Sequence, residues 1–104
     1  MSESTLLILT ALAVQPLHGY GIARSVAELS GGQVQLRPGT LYGALDRLDQ
    51  QGLIVVDREE PVGDRLRRFY RLSADGAAVL AERERRSAAA APAVLRPRLS
   101  GGTA

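Results

Sequence analysis

The spacing of apolar residues along the chain predicts four helices. In the segment from Leu36 to Gly52, apolar residues recur at i, i+4 and i+7 from Leu41 to Leu48, and the opposite face is polar. This helix is predicted to begin near Pro38, because proline has no N–H to lose in a first turn. It is predicted to end at Gly52, a residue suited to a left-handed cap.

Three further helices flank this one. The stretch from Thr5 to Val14 is apolar nearly all round, which is typical of a helix buried on more than one side. A second helix ends at about Ser30, and a last helix runs from about Ala74 to Ala91 after Ser73, a good N-cap. Between the second and third helices, the alternation from Gln33 to Arg37 predicts a short strand or an extended linker.

After Gly52 the pattern changes to that of a β-hairpin. Leu53 to Glu59 is predicted to be the outgoing strand, Pro61 to Asp64 the turn, and Arg65 to Leu72 the returning strand. The returning strand holds four arginines within seven residues. Acidic residues offset this charge in the sequence, but they lie on the outgoing strand and the tip: Glu59, Glu60 and Asp64.

Composition limits the classes of protein and of site. The chain has 104 residues and a hydrophobic fraction of 45%, enough for one small domain whose modest core would gain stability from a partner subunit. It lacks cysteine and has a single histidine, which excludes disulfides, thiolate chemistry and a multi-histidine metal site within one subunit. No cofactor, signal peptide or transmembrane segment is predicted, so a cytoplasmic protein without membrane contact is expected.

The net charge is small, but the basic residues are all of one type. The formal net charge is +2, the pI is about 9.7, and all 13 basic residues are arginine. Arginine suits phosphates and guanine edges better than lysine does. The concentration of arginine in the hairpin therefore matters more than the net charge.

The order of the predicted elements is that of a winged helix-turn-helix protein, mainly α with a small β-hairpin. Residues 1–72 are expected to form a DNA-binding domain, residues 73–91 a C-terminal dimerisation helix, and residues 92–104 a disordered tail. In such a fold the third helix enters the major groove of double-stranded DNA, and the hairpin, called the wing, touches the flanking backbone or minor groove. The third helix and the arginine-rich wing thus predict one common surface.

Eight residues are predicted to contact DNA. They are Thr40, Tyr42, Gly43 and Arg47 on the third helix, Arg65, Arg67 and Arg68 on the wing, and Tyr20, which alternatively belongs to the core. Tyr42 is expected at a phosphate or sugar, and Arg47 at a phosphate or a base edge. Gly39 and Gly63 are expected to serve the backbone. His18 is expected to be a turn or capping residue, and the alternative is a catalytic or ligand-binding histidine.

Several short motifs resemble those of the PadR-type transcriptional regulators. They are His18-Gly19-Tyr20, Pro38-Gly39-Thr40-Leu41-Tyr42 with Ala44-Leu45 and Leu48, Gly52-Leu53-Ile54, and Arg68-Phe69-Tyr70-Arg71-Leu72-Ser73. The resemblance, which spans roughly Leu6 to Leu80, implies a homodimeric DNA-binding repressor of bacterial type, in the smaller subfamily with a single short C-terminal helix. It implies that the first and last helices build the dimer interface. It also implies response to a small-molecule effector, although the chain lacks the tryptophan with which some members bind flat aromatic drugs.

Two other classes of function compete with a DNA-binding regulator. A winged helix can serve protein–protein contact without DNA, since a fold does not dictate a function, but the basic wing argues against such a module. An enzyme that used Ser25, Ser30 or Tyr20 as a nucleophile would need a general base. One histidine, no cysteine and no clustered carboxylates supply none, so the chain is predicted not to be an enzyme.

Overall fold

The computed structural model describes residues 1–89, which form four helices and a three-stranded antiparallel sheet. The elements in chain order are α1 (Glu3–Val14), β1 (Leu17–His18), α2 (Gly19–Leu29), α3 (Pro38–Gln50), β2 (Ile54–Val62), β3 (Arg65–Leu72) and α4 (Ala74–Ala89). The predicted fold, mainly α with a small hairpin, is thereby confirmed. The predicted end of the last helix at Ala91 and the predicted disordered tail over 92–104 lie outside the described residues.

All four predicted helices are present, and local chemistry sets where they begin. At α1, the hydroxyl of Ser2 caps the helix by accepting an amide hydrogen bond of 3.1 Å. At α4, Ser73 Oγ accepts from the Gly76 amide at 2.9 Å. No side chain caps α3, which instead has Pro38 at its start, where the missing N–H does not matter. Gly52 follows α3 with a φ of 74°, as expected of a left-handed cap.

The sheet contains a strand that the sequence pattern does not predict. Leu17 and His18 form β1, which pairs antiparallel with Tyr70 and Phe69 of β3, and the strand order is β1–β3–β2. Two residues are too few to show an alternating pattern, so only the pairing reveals this strand. The segment 33–37, for which a strand or an extended linker was predicted, forms no strand and links α2 to α3.

The hairpin is longer than predicted and its turn is tighter. β2 continues past Glu59 to Val62, which pairs with Arg65, so that only two residues form the turn. β2 can include Pro61 because it is an edge strand, where a missing N–H is tolerated. Gly63 takes a φ of 62° as the first turn residue, which is the geometry that a two-residue hairpin loop requires.

The core lies where the helices meet one face of the sheet. Its buried side chains are Ile8, Leu9, Leu12, Ile22, Val26, Leu41, Ala44, Leu45, Leu48, Ile54, Tyr70 and Leu80. The apolar face predicted for the third helix is confirmed by Leu41, Leu45 and Leu48. Leu53 packs against this core and is only half-buried.

A glycine lets α4 pack close to the base of the wing. A Cβ built on Gly76 would lie 2.0 Å from the carbonyl oxygen of Leu53, far inside van der Waals contact. A side chain here would therefore force backbone to move. This close approach explains a residue that weakens a helix interior by about 1 kcal/mol relative to alanine.

Candidate nucleic-acid interface

His18 joins the start of α2 to the base of the wing. Its Nδ1 accepts a hydrogen bond of 3.1 Å from the Gly21 amide and so caps the helix. Its ring meets Phe69 edge-on, with 5.1 Å between the centroids. Burial and then the positive charge of Arg67 lower the pKa of His18, and Glu60 opposes this in part. These effects favour the neutral imidazole, the form that can accept the capping bond, and the prediction of a capping histidine is confirmed.

Two exposed tyrosines mark the junction of α2 and α3. A Cβ built on Gly19 would lie 2.4 Å from the hydroxyl oxygen of Tyr42, so the phenol of Tyr42 rests on a residue without a side chain. Tyr42 is nevertheless 50% exposed, and Tyr20 is 72% exposed. The core alternative for Tyr20 is therefore wrong, and both phenols are accessible to a ligand.

A cleft of about 600 Å³ opens between the start of α2, the exposed side of α3 and the wing. β1 pairs with β3 only at Phe69 and Tyr70. On the side of β1, the rest of β3 from Arg65 to Arg68 therefore has no neighbouring strand among residues 1–89, and this edge forms one wall of the cleft. Five of the eight predicted DNA-contacting residues line this cleft: Tyr20, Tyr42, Arg65, Arg67 and Arg68.

The three arginines predicted on the wing differ in their partners. Arg68 pairs with Glu59 at 3.3 Å, and hydrogen bonds to Tyr70 and to Glu59 raise the pKa of Arg68. Within residues 1–89, Arg65 and Arg67 enter no ion pair. Because successive side chains alternate along a strand, Arg65 and Arg67 leave β3 on the face opposite Arg68, although all three line the cleft at the open edge of the strand.

Two other acidic residues of the wing, Asp57 and Glu60, are paired with its other arginines. Arg58 contacts Glu60 at 2.9 Å and Asp57 at 2.8 Å, and these hydrogen bonds raise the pKa of Arg58. Asp57 is the extra residue of a β-bulge and also contacts Arg71 at 3.4 Å. Glu59 and Glu60, which offset the charge of the wing in the sequence, are thus paired with Arg68 and Arg58 and not with Arg65 or Arg67.

Three predicted contact residues lie outside the cleft. Thr40 and Arg47 are exposed on the side of α3 away from the wing, and Arg47 lines a smaller cavity of about 280 Å³ with Met1 and Thr5 of the α1 end. A Cβ built on Gly43 would make only an ordinary contact, 3.7 Å from Arg47 Nη1. The eight predicted residues therefore lie on both sides of the exposed face of α3 and do not share one cavity.

Gly39 and Gly63, predicted to serve the backbone, differ from each other. Gly63 has the left-handed φ of the hairpin turn, so that prediction is confirmed. Gly39 lies within α3 without a left-handed φ, and a Cβ built on it would meet nothing within 4 Å. The prediction for Gly39 is therefore wrong, because neither backbone conformation nor close packing requires glycine there.

The sequence pattern does not single out Arg24, which the structure places beside the predicted site. Arg24 lies one turn after Tyr20 on α2 and, with both exposed tyrosines, lines a groove of about 510 Å³ that reaches Pro38 at the start of α3. An arginine four residues after a tyrosine on the polar face of a helix is the signal that could have found it.

Metal and membrane sites find no support in the described part of the chain. Residues 1–89 contain no group of three or more histidine, cysteine, aspartate or glutamate side chains that could hold a metal ion. Over the same residues, no helix combines the length and apolar character needed to span a bilayer.

Known proteins share this sequence pattern. The model of the transcriptional regulator PadR-like family matches residues 8–82. Transcriptional regulator Rv3488 of Mycobacterium tuberculosis is 38% identical over 78 residues, which cover 75% of this chain and 69% of that protein. Three other curated relatives are longer, and the matches cover only 15% to 28% of their length.

Solved structures share the fold. A PadR family transcription regulator from Clostridium difficile superposes with a TM-score of 0.70 at 26% identity, covering 82% of this chain and 86% of that chain. Bacillus subtilis PadR in complex with operator DNA superposes with a TM-score of 0.66 at 25% identity, covering 75% of this chain and 44% of that chain.

Since the matched family consists of transcriptional regulators, the prediction that the chain is not an enzyme is confirmed. The family model matches most of this chain, residues 8–82, and this match shows that the chain belongs to the PadR-like family of transcriptional regulators.

Proposed function

We propose that this chain regulates transcription by binding double-stranded DNA at specific sequences, with α3 in the major groove and the wing beside it. The observation that carries this proposal is the cleft wall at Arg65 and Arg67, which form no ion pair within residues 1–89. Unpaired guanidinium groups next to the exposed face of a helix suit the phosphates that flank a major groove. The complex of Bacillus subtilis PadR with operator DNA supports this use of the shared fold.

The residues around the cleft take roles that fit their positions. Arg65 and Arg67 bind phosphates or reach the minor groove beside the wing, and Arg68 contributes less because it is already ion-paired. The exposed phenols of Tyr20 and Tyr42 donate hydrogen bonds to phosphate or sugar oxygens.

The residues of α3 outside the cleft complete the contact surface. Gly39 and Gly43 leave one line along the first two turns of α3 without side chains, which lets the helix backbone approach base edges closely. Thr40 and Arg47 then meet the DNA on the side of α3 away from the wing, with Arg47 at a phosphate or a base edge. Arg24, one turn beyond Tyr20, adds a phosphate contact near the start of α3.

We also propose that the regulator is a homodimer, with residues 1–72 as the DNA-binding domain and α4 as the dimerisation helix. α1 and α4 pack against each other, while Leu6 and Leu7 of α1 are only half-buried and Val14 is 80% exposed. A second copy that covers this apolar surface would place two α3 helices at half-sites about 10 base pairs apart, on a pseudo-palindromic operator.

The finer regulatory role follows from the family resemblance. We propose a repressor of bacterial type that acts in the cytoplasm and is released from its operator by a small-molecule effector. Because the chain has no tryptophan, recognition of such an effector does not depend on stacking with an indole ring.

The test is an in vitro selection with the purified full chain and a random pool of DNA duplexes. A pseudo-palindrome with half-sites about one helical turn apart is the expected result, and binding should weaken steeply with salt. Light scattering of the same sample at micromolar concentration should give the dimer mass. A folded protein that enriches no sequence and binds DNA independently of salt would overturn the proposal and favour a protein–protein interaction module.

A further inference from the structure

A single line of residues runs along α3 directly opposite its buried leucines. This stripe contains Gly39, Gly43, Asp46 and Gln50, at i, i+4, i+7 and i+11. The two glycines carry no side chain. A surface that lies along the stripe from its beginning therefore meets the carboxylate of Asp46 as its first functional group.

Asp46 is an unpaired carboxylate in cationic surroundings. It is exposed and lines the cleft together with Arg65 and Arg67, yet it enters no ion pair or side-chain hydrogen bond within the described residues. The other carboxylate of the cleft, Glu59, is bound to Arg68 at 3.3 Å. Asp46 is therefore available as a hydrogen-bond acceptor for a ligand in the cleft.

The chemistry of the major groove restricts what a carboxylate can accept from. An ionised carboxylate has acceptors only and is repelled by phosphates, so a favourable contact with DNA needs an amino group on a base. In the major groove, cytosine offers N4–H and adenine offers N6–H, whereas guanine and thymine present acceptors at the corresponding positions. Adenine also places its N7 acceptor beside the amino group, where it would repel the second carboxylate oxygen, and cytosine does not.

We propose that Asp46 reads a cytosine by accepting a hydrogen bond from its N4 amino group. The two glycines before it let α3 approach closely enough for this short side chain to reach the base edge. The inference rests on the proposed DNA-binding function and adds a specificity-determining residue to it.

The experiment repeats the selection with wild type, Asp46→Ala, Asp46→Asn and the matched control Asp49→Ala. Asp49 is also exposed on α3 but does not line the cleft. For wild type, replacing the selected cytosine pair should weaken binding by roughly 5- to 150-fold, the usual cost of one mismatched base pair in a site. Asp46→Ala should remove this discrimination, and Asp49→Ala should keep it.

Asp46→Asn provides a second, independent readout because asparagine can pair with both N6 and N7 of adenine. The preference at the affected position should shift from cytosine towards adenine, a change that a damaged fold cannot produce. Unchanged preference at every position in both Asp46 variants would overturn the inference while leaving the DNA-binding proposal standing. An equal gain in affinity for all sequences would also overturn it, since Asp46 would then act only as a repulsive charge. A wild-type protein that selects no sequence would instead defeat the proposed function itself.

Discussion

The wing and the exposed face of α3 border the same cleft with different chemistry. Most arginines of the wing are ion-paired within residues 1–89, and only Arg65 and Arg67 are not, whereas α3 exposes one arginine and two aspartates and has two glycines on its outer face. Charge attracts any DNA sequence, while an acceptor on a closely approaching helix distinguishes bases. The difference suggests that the wing supplies most of the affinity and α3 most of the discrimination.

This division of roles depends on the wing being held in a fixed position relative to the helices. Gly76→Ala should lower the free energy of unfolding by about 3 kcal/mol, the upper end of the usual effect of overpacking, because the new Cβ would overlap the Leu53 carbonyl. Urea denaturation measures this change. Ala77→Gly, one residue further along α4, is the control and should cost about 1 kcal/mol through helix propensity alone. Equal losses for the two variants would contradict the close packing of α4 on the base of the wing.

The contribution of the wing can be isolated by removing its unpaired charges. Arg65→Ala with Arg67→Ala should reduce the slope of log affinity against log salt by about 0.9 for each phosphate that the variant no longer binds, and so by about 1.8 for the pair. Arg83→Ala with Arg85→Ala removes two arginines from α4 and should leave the slope nearly unchanged.

Arg68→Ala sharpens the same test within the wing. Its effect on the salt slope should be smaller than that of Arg67→Ala, because Glu59 already neutralises Arg68. A salt slope that is the same in wild type and in the Arg65 and Arg67 double variant would remove the wing as the source of affinity.

His18 links the two surfaces, and its variants test that link. His18→Ala should destabilise the protein by about 1 kcal/mol through loss of the α2 cap, whereas His18→Asn should keep most of the cap. In the wild type, the lowered pKa of His18 means that the unfolded chain takes up its proton first. Its contribution is fully present above about pH 6.5 and is lost as the pH falls through the lower folded-state pKa.

Thermal unfolding between pH 7.5 and 5 measures this contribution. The wild type should lose more stability on acidification than His18→Asn, which has no titrating group at this position. Parallel pH profiles for the two proteins would contradict a neutral capping role for His18.

Gly39→Ala changes the helix surface without disturbing the core. Because its Cβ would meet nothing, stability should rise by up to about 1 kcal/mol. Binding of the selected operator should nevertheless weaken, since the methyl group would hold the helix backbone away from the base edges. Titration of wild type and variant with the same duplex decides the matter, and equal affinities would show that α3 does not approach DNA at this turn.

Local periodicity was enough to predict the helices and the hairpin, and residue type at the helix starts was enough to predict the capping roles of Ser73 and His18. Local periodicity does not predict the two-residue strand β1, because its pairing with β3 is a contact between distant segments of the chain. The separation of Arg67 from Arg68 depends on strand alternation and on ion pairs across the hairpin, neither of which composition reveals. The same holds for Arg24, whose place beside the cleft follows from the packing of α2 on α3.

The placement of the aromatic residues has a practical consequence for spectroscopy. The chain has three tyrosines and no tryptophan, and Tyr20, Tyr42 and Tyr70 all line the cleft. Excitation near the phenol band therefore produces emission that originates from this one region, with no indole signal to obscure it. The unlabelled protein carries an intrinsic fluorescent reporter at the surface where DNA is proposed to bind.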